Sequence, residues 1–253
     1  MTFGQFIHFA KRLAAVLLQN LIQSLPYGAS DRLIVDHSLT ALIEADDLVQ
    51  PRNCRGVSPA KLSLQLAHAG RKASAQRPWE GGKALSLAEG AWATVAPSAL
   101  PLAAGWHTPV ALDEAGMARI RDAFVASTQR ALRLGYDMIE LHSAHGYLLN
   151  EFLSPLTNRR ADRYGGSIEN RMRFPLEVFE AVRAVWPKER SLGARIPGSD
   201  YVDGAWSPQD AVVYAQALKA AGCDFVTVSG GGVVLDAKVP VGPGYQVPFA
   251  QAV

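Results

Sequence analysis

Apolar residues along the chain follow two patterns. Short buried runs end the segments LSLQL (62–66), YDMIELH (136–142), SLGARI (191–196) and DFVTVS (224–229). Between them lie longer stretches whose apolar positions recur every three to four residues, the period of an amphipathic helix. These are LDEAGMARIRDAFVASTQRALRLG (112–135), IENRMRFPLEVFEAVRAVWP (168–187) and SPQDAVVYAQALKAAG (207–222). Strands alternating with helices predict a parallel sheet of α/β class. The boundaries carry their own signals. Asp113 and Glu114 suit a helix N-terminus, and Gly135 suits a C-terminal stop. Ser207 reads as an N-cap with Pro208 at the first helical position. Pro175 fits best near the first turns of its helix, where a missing N–H costs least.

The first sixty residues fit this rhythm poorly. FGQFIHFAKRLAAVLLQNLIQSL (3–25) predicts an amphipathic helix ended by Pro26. Lys11, Arg12, Gln19, Asn20 and Gln23 interrupt its apolar run, so no membrane span is expected. No small-residue cleavage site follows, which argues against a signal peptide. RLIVDHSLTALIEADDLV (32–49) reads as a strand running into a helix, and residues 1–60 stay unassigned as a domain. Residues 84–110 are rich in Ala, Gly and Pro, and a loop of that length in a compact domain is usually functional. A lid is expected there.

Composition narrows the classes. A chain of 253 residues is long enough for one sizeable core. A net charge of +2 with scattered basic residues gives no case for nucleic acid. Cys54 and Cys223 form no framework and no CxxC pair, as expected for reduced thiols in the cytoplasm.

The chemistry concentrates between Tyr136 and Arg173. In β/α chains, reactive groups sit where a strand ends and its loop begins. His142, His145 and Tyr147 all fall at such a point, separated by the small residues Ser143, Ala144 and Gly146. A lone histidine there would more often be a packed core residue. A zinc pair is a further alternative, but no third ligand stands at a standard spacing. Tyr147 also reads as a packing residue at a loop start, and Gln65 and Arg195 as a strand glutamine and a surface-paired arginine. Arg159, Asp162, Arg163 and the Gly165–Gly166 turn are expected to shape the following loop through ion pairs.

The stretch HSAHGYL (142–148), continuing through SPLTNRRADRYGGSIENRMR (154–173), resembles the Old Yellow Enzyme family of FMN-dependent ene-reductases at nearly every position. Gln65, Leu66, His68, Gly70 and Arg71 are similar to the family's third-strand motif, and the His-His form resembles its xenobiotic reductase branch. The resemblance implies a (β/α)₈ TIM barrel and a cofactor-binding role for Gln65 and Arg195. Gln65 would bond the pyrimidine edge of FMN. Arg195 would lie beside the N1 and C2 carbonyl, where reduced flavin gathers negative charge. His142 and His145 would be substrate-binding donors to the oxygen of an activated alkene. Tyr147 would deliver a proton to the α-carbon, on the face opposite the hydride. NADPH would reduce the FMN, and the substrate would be an α,β-unsaturated carbonyl or nitro compound. Pro197 and Gly198 stand where the family usually has Ser and Ala, a change expected beside the flavin. A dienoyl-reductase relative with an iron–sulfur cluster is set aside, because two cysteines cannot supply four thiolates.

The resemblance covers residues 62–253, the family's strands three to six, so the barrel is expected to be incomplete. Residues 61–253 then read as a partial FMN-binding domain, truncated before strands seven and eight and joined to a different N-terminus. Loops after those two strands build the phosphate site in many barrels. Weak FMN binding is expected on that ground, with a catalytically silent remnant acting at most as a partner-binding protein as the alternative. An open sheet edge would need cover, and a homo-oligomer is one way to provide it.

Overall fold

The computed structural model describes residues 61–253. The helix expected over 3–25, the reading of 32–49 and Cys54 lie outside the described residues. Four parallel strands form the main sheet: β1 (Ser63–Leu66), β4 (Met138–His142), β5 (Ser191–Pro197) and β6 (Phe225–Ser229), in that spatial order. Two short strands, β2 (Val95–Ala96) and β3 (Val110–Ala111), pair with each other inside the connection from β1 to β4.

Each crossover is helical. α1 (Glu114–Leu134) precedes β4, α2 (Leu148–Leu153) and α3 (Ile168–Val185) link β4 to β5, and α4 (Pro208–Ala220) links β5 to β6. A short α5 (Val247–Ala252) follows the loop after β6. This is the order of the incomplete (β/α)₈ barrel, with its strands three to six in sequence. Helices form where the caps allow. Asp113 Oδ1 accepts the Gly116 N–H at 2.6 Å, and Gly135 closes α1 in the left-handed conformation. Ser207 and Asp210 make a reciprocal capping box at the start of α4, with Pro208 beside it.

The period-two alternation of the strands sorts their side chains onto two faces. Leu66, Ile139, Leu141, Leu192, Ala194 and Ile196 are fully buried on the outer face. They join one core with Ile120 and Phe124 of α1, Phe174, Val178 and Phe179 of α3, and Tyr214 and Leu218 of α4. The inner face carries Gln65, Glu140, His142, Arg195, Thr227 and Ser229 instead. Parallel strands covered on both faces usually read as continuous Val/Ile/Leu runs, so this polar face is the departure that marks a site.

Three expectations are corrected. Pro175 is the eighth residue of α3, inside the helix rather than in its first turns. The Ser167 cap starts the helix at Ile168, and burial of Met172, Phe174, Val178 and Phe179 carries it past the proline. Residues 84–110 are not one open loop: Ser86 and Glu89 cap a short turn, and Thr94 O accepts the Val110 N–H at 2.8 Å. In the loop after α2, Arg160 carries the ion pair to Asp162 at 2.5 Å and bonds Pro97 O at 3.1 Å, whereas Arg159 offers its main-chain N–H to Ser98 Oγ. Arg163 reaches Glu114 and Glu177 only at 3.9 Å, while its Nη2–H donates to the Tyr164 hydroxyl at 2.6 Å. Its guanidinium lies over Tyr164, a cation–π contact that replaces a close ion pair.

Candidate active site

β4 ends at His142, and the chain turns at once. His145 takes a left-handed conformation (φ 59°), and so does Gly146. A Cβ on Gly146 would collide with the Gly232 carbonyl, so only glycine lets the β4 loop pass this close to the loop after β6. Asn150 of α2 fixes the turn by accepting the Gly146 N–H at 2.7 Å. Tyr147 follows as the N-cap residue of α2.

The turn brings three rings together. His142 and His145 meet edge-on with centroids 5.0 Å apart, and Tyr147 lies 4.8 Å from His142. Ala144 N–H donates to His142 Nδ1 at 3.2 Å, which puts the His142 proton on Nε2. That nitrogen is 3.3 Å from His145 Nδ1, so the His145 proton sits on Nε2, 2.7 Å from Ser229 Oγ. Burial, followed by the charges around them, pushes His142 down to about 3 and His145 down to about 4. The nearby cations are Arg195 and Lys72. Both rings are therefore neutral at pH 7, each with a single N–H to donate. Among the described residues no group of three or more His, Cys, Asp and Glu is placed to hold a metal ion.

Arg195 is the register partner of His142 on β5, so both side chains rise from the same face. Its Nε–H is buried and has no acceptor. Gln65 lies one layer deeper on β1, in register with Glu140, and its amide bonds that carboxylate at 2.6 Å. His142, His145, Tyr147 and Arg195 thus gather at the C-terminal end of the sheet, with Gln65 on the same face beneath them.

Four further residues belong here to which the sequence reading gave no site role, although Arg71 stands in the third-strand motif. Lys72 Nζ bonds the His145 carbonyl at 2.6 Å, and burial lowers it to about 8. Arg71 ties the site's rim together, donating to Pro101 O at 3.1 Å and Val233 O at 2.6 Å. Glu151, fully buried on α2, accepts the Arg71 main-chain N–H at 2.8 Å, and burial raises it to about 8. Ser229 receives His145. Arg71 lies in the third-strand motif itself, Lys72 beside it, and Glu151 just past the His142–Leu148 motif, and that nearness is the signal that was available.

The residues present suit a flavin. An orphaned, buried guanidinium N–H calls for an acceptor, an amide offers both donor and acceptor, and the cations favour an electron-rich ring.

Fold and site together define a parallel β/α barrel segment with its polar chemistry at the strand ends. The chain belongs to the NADH:flavin oxidoreductase / NADH oxidase family, whose profile matches residues 57–250. It is 45% identical to an NADPH dehydrogenase of Geobacillus sp. (strain WCH70) over 194 residues, 77% of this chain and 52% of that protein. An NADPH dehydrogenase of Geobacillus thermodenitrificans (strain NG80-2) is also 45% identical, over 76% of this chain and 51% of its own. Among solved structures, morphinone reductase superposes with a TM-score of 0.60 at 28% identity, covering 86% of this chain and 56% of that one. An old yellow enzyme homologue from Zymomonas mobilis, at 24% identity and a TM-score of 0.59, shares the fold. The chain spans about half the length of the curated relatives it matches.

Proposed function

We propose that residues 61–253 are the FMN-ring and substrate portion of an NADPH-dependent ene-reductase. The observation that carries this reading is the neutral His142–His145 pair beside Arg195, with Tyr147 against His142. Gln65 and Arg195 would hold the flavin. When bound, FMN would take a hydride from NADPH and pass it to the activated C=C bond of an α,β-unsaturated carbonyl or nitro compound. NADPH is taken as the donor because the two Geobacillus relatives are named NADPH dehydrogenase.

The chain's own residues do the rest. His142 and His145 each offer one N–H, and a substrate oxygen would compete for those donors with His145 Nδ1 and Ser229 Oγ. Negative charge grows on that oxygen as the alkene is reduced, so fixed donors lower the barrier. Neutral rings serve better than cations here, because a proton lost to the oxygen would have to be recovered. Tyr147 moves a proton from its phenol to carbon, a step a phenol can make at neutral pH. Arg71 and Lys72 hold the loops that carry these groups. No described helix is long and apolar enough to cross a membrane. The cytoplasm is the compartment this reading implies, and a homo-oligomer is compatible with it.

The test separates the two half-reactions by stopped flow. Tyr147→Phe should slow alkene reduction by about 10²–10⁴-fold, the usual contribution of general acid catalysis, and leave flavin reduction by NADPH unchanged. Equal losses in both would reject the role of Tyr147. Silence of the wild-type protein in both would favour the catalytically inactive alternative.

A further inference from the structure

The inner face carries one carboxylate that no step above employs. Glu140 sits two residues before His142 on β4 and is 9% exposed. Its Oε1 accepts Gln65 Nε2–H at 2.6 Å, and its Oε2 accepts Thr227 Oγ1–H at 2.7 Å. One side chain therefore joins β1, β4 and β6. Reaching β6 means crossing β5, and strands two apart lie about 10 Å from each other. The β5 residue opposite Glu140 is Gly193, which has no side chain of its own; the Phe225 ring of β6 fills the space one would take there, and Glu140 still reaches Thr227.

A carboxamide has two orientations of nearly the same shape, one exchanging N for O. A carboxylate with both oxygens accepting favours the one that turns NH₂ toward it. Thr227 spends its only proton on the other oxygen, so nothing on that side rewards the Gln65 carbonyl. We propose that Glu140 is a positioning residue that fixes the Gln65 amide, so that its oxygen and remaining N–H face the ligand in one set order. A ligand read this way carries a ring N–H beside a ring carbonyl, as the pyrimidinedione edge of a flavin does. This rests on the reading of Gln65 as the flavin contact.

An amide at position 140 would remove the preference, because it can accept from Gln65 or donate to it equally well. FMN titration, followed by quenching of flavin fluorescence, tests the idea on wild type, Glu140→Gln, Gln65→Ala and the double variant. Glu140→Gln should weaken FMN about tenfold, the value of one net hydrogen bond. Because Glu140 acts through Gln65, the double variant should bind no more weakly than Gln65→Ala alone. Glu140→Asp, which keeps an acceptor-only group, should lie nearer wild type than Glu140→Gln does. Unchanged affinity in Glu140→Gln, or losses that multiply in the double variant, would overturn the proposal and leave the flavin reading standing. Failure of the wild type to quench FMN would remove the flavin reading and the proposal with it. A second measurement guards against misfolded variants. In the wild-type ¹H–¹⁵N spectrum the two Gln65 carboxamide protons should be well separated, with one shifted downfield by the Glu140 bond. Both protons at the positions of a free glutamine amide, which are themselves separate because C–N rotation is slow, would also overturn the proposal.

Discussion

The two faces of the main sheet are built from alternate residues of the same four strands, yet they follow opposite rules. On the outer face Ile139, Leu141, Leu192, Ala194 and Ile196 are sealed against the helices and contribute through burial alone. On the inner face Glu140, His142 and Arg195 stand one position away in sequence; Glu140 accepts from Thr227, and His142 bonds His145, which bonds Ser229. A single strand such as IELH (139–142) thus serves stability with its odd positions and the site with its even ones. The outer set tolerates exchange among apolar residues of similar volume, whereas the inner set depends on particular donors and acceptors.

That division is broken most strongly from the outer side. Ile139→Ala, at a fully buried position, should cost about 2–5 kcal/mol of folding stability. Urea unfolding would check it, and a shift in midpoint below that range would show the core collapsing around the gap. On the inner side, His142→Ala should cost much less stability but slow alkene reduction by about 10²–10³-fold, as loss of one fixed oxyanion donor does. A variant that unfolds as readily as Ile139→Ala would erase the distinction between the faces.

The pH dependence of folding sharpens the comparison. Glu151 is raised to about 8 by burial, so the folded chain binds its proton more tightly than the unfolded chain does. Its contribution is full below the unfolded value of 4.5 and is lost as pH rises toward 8. The His142–His145 pair acts in the opposite sense: held near 3 and 4, it stabilises above 6.5 and loses that stability as pH falls. Glu151→Gln cannot ionise, so the variant should gain on wild type as pH rises from 5 to 8, by at most about 1.4 kcal/mol per unit. Equal pH slopes for the two proteins in urea melts would refute the buried neutral acid. The smallest effect belongs to the outer scaffold: Ser207→Ala should remove the α4 cap for about 1 kcal/mol, read as a lowered melting temperature with the site unaffected.

Local chemistry was the part of the fold most legible in the sequence. Asp113, Gly135, Ser207 and Pro208 announce their helix ends because caps act within one turn. Pro175 misled, since a proline's local cost was outweighed by the packing of its helix neighbours Phe174 and Val178 into the core. Arg160 and Arg159 are indistinguishable by type, and only the fold shows which one faces Pro97 and Leu112. At the site, His142, His145, Tyr147, Gln65 and Arg195 stood out through their motifs. Glu140 was equally visible as the charged residue in an apolar run, two places from His142 and so on its face, but its partners lie 75 and 87 residues away. Lys72, Arg71 and Glu151 act on backbone atoms of other loops, contacts that no spacing rule encodes.

The claim beneath all of this is that the polar face is a flavin-ring site with Arg195 as its cation. It is tested most directly by titrating FMN into wild type and Arg195→Met and recording the visible absorption band. The wild type should perturb the band saturably, and the variant, which keeps the bulk of the stem without the guanidinium, should need about 10–100-fold more FMN, the loss expected when a charge-assisted hydrogen bond is removed. Binding of equal strength in both proteins, or a band left unchanged by the wild type, would contradict it.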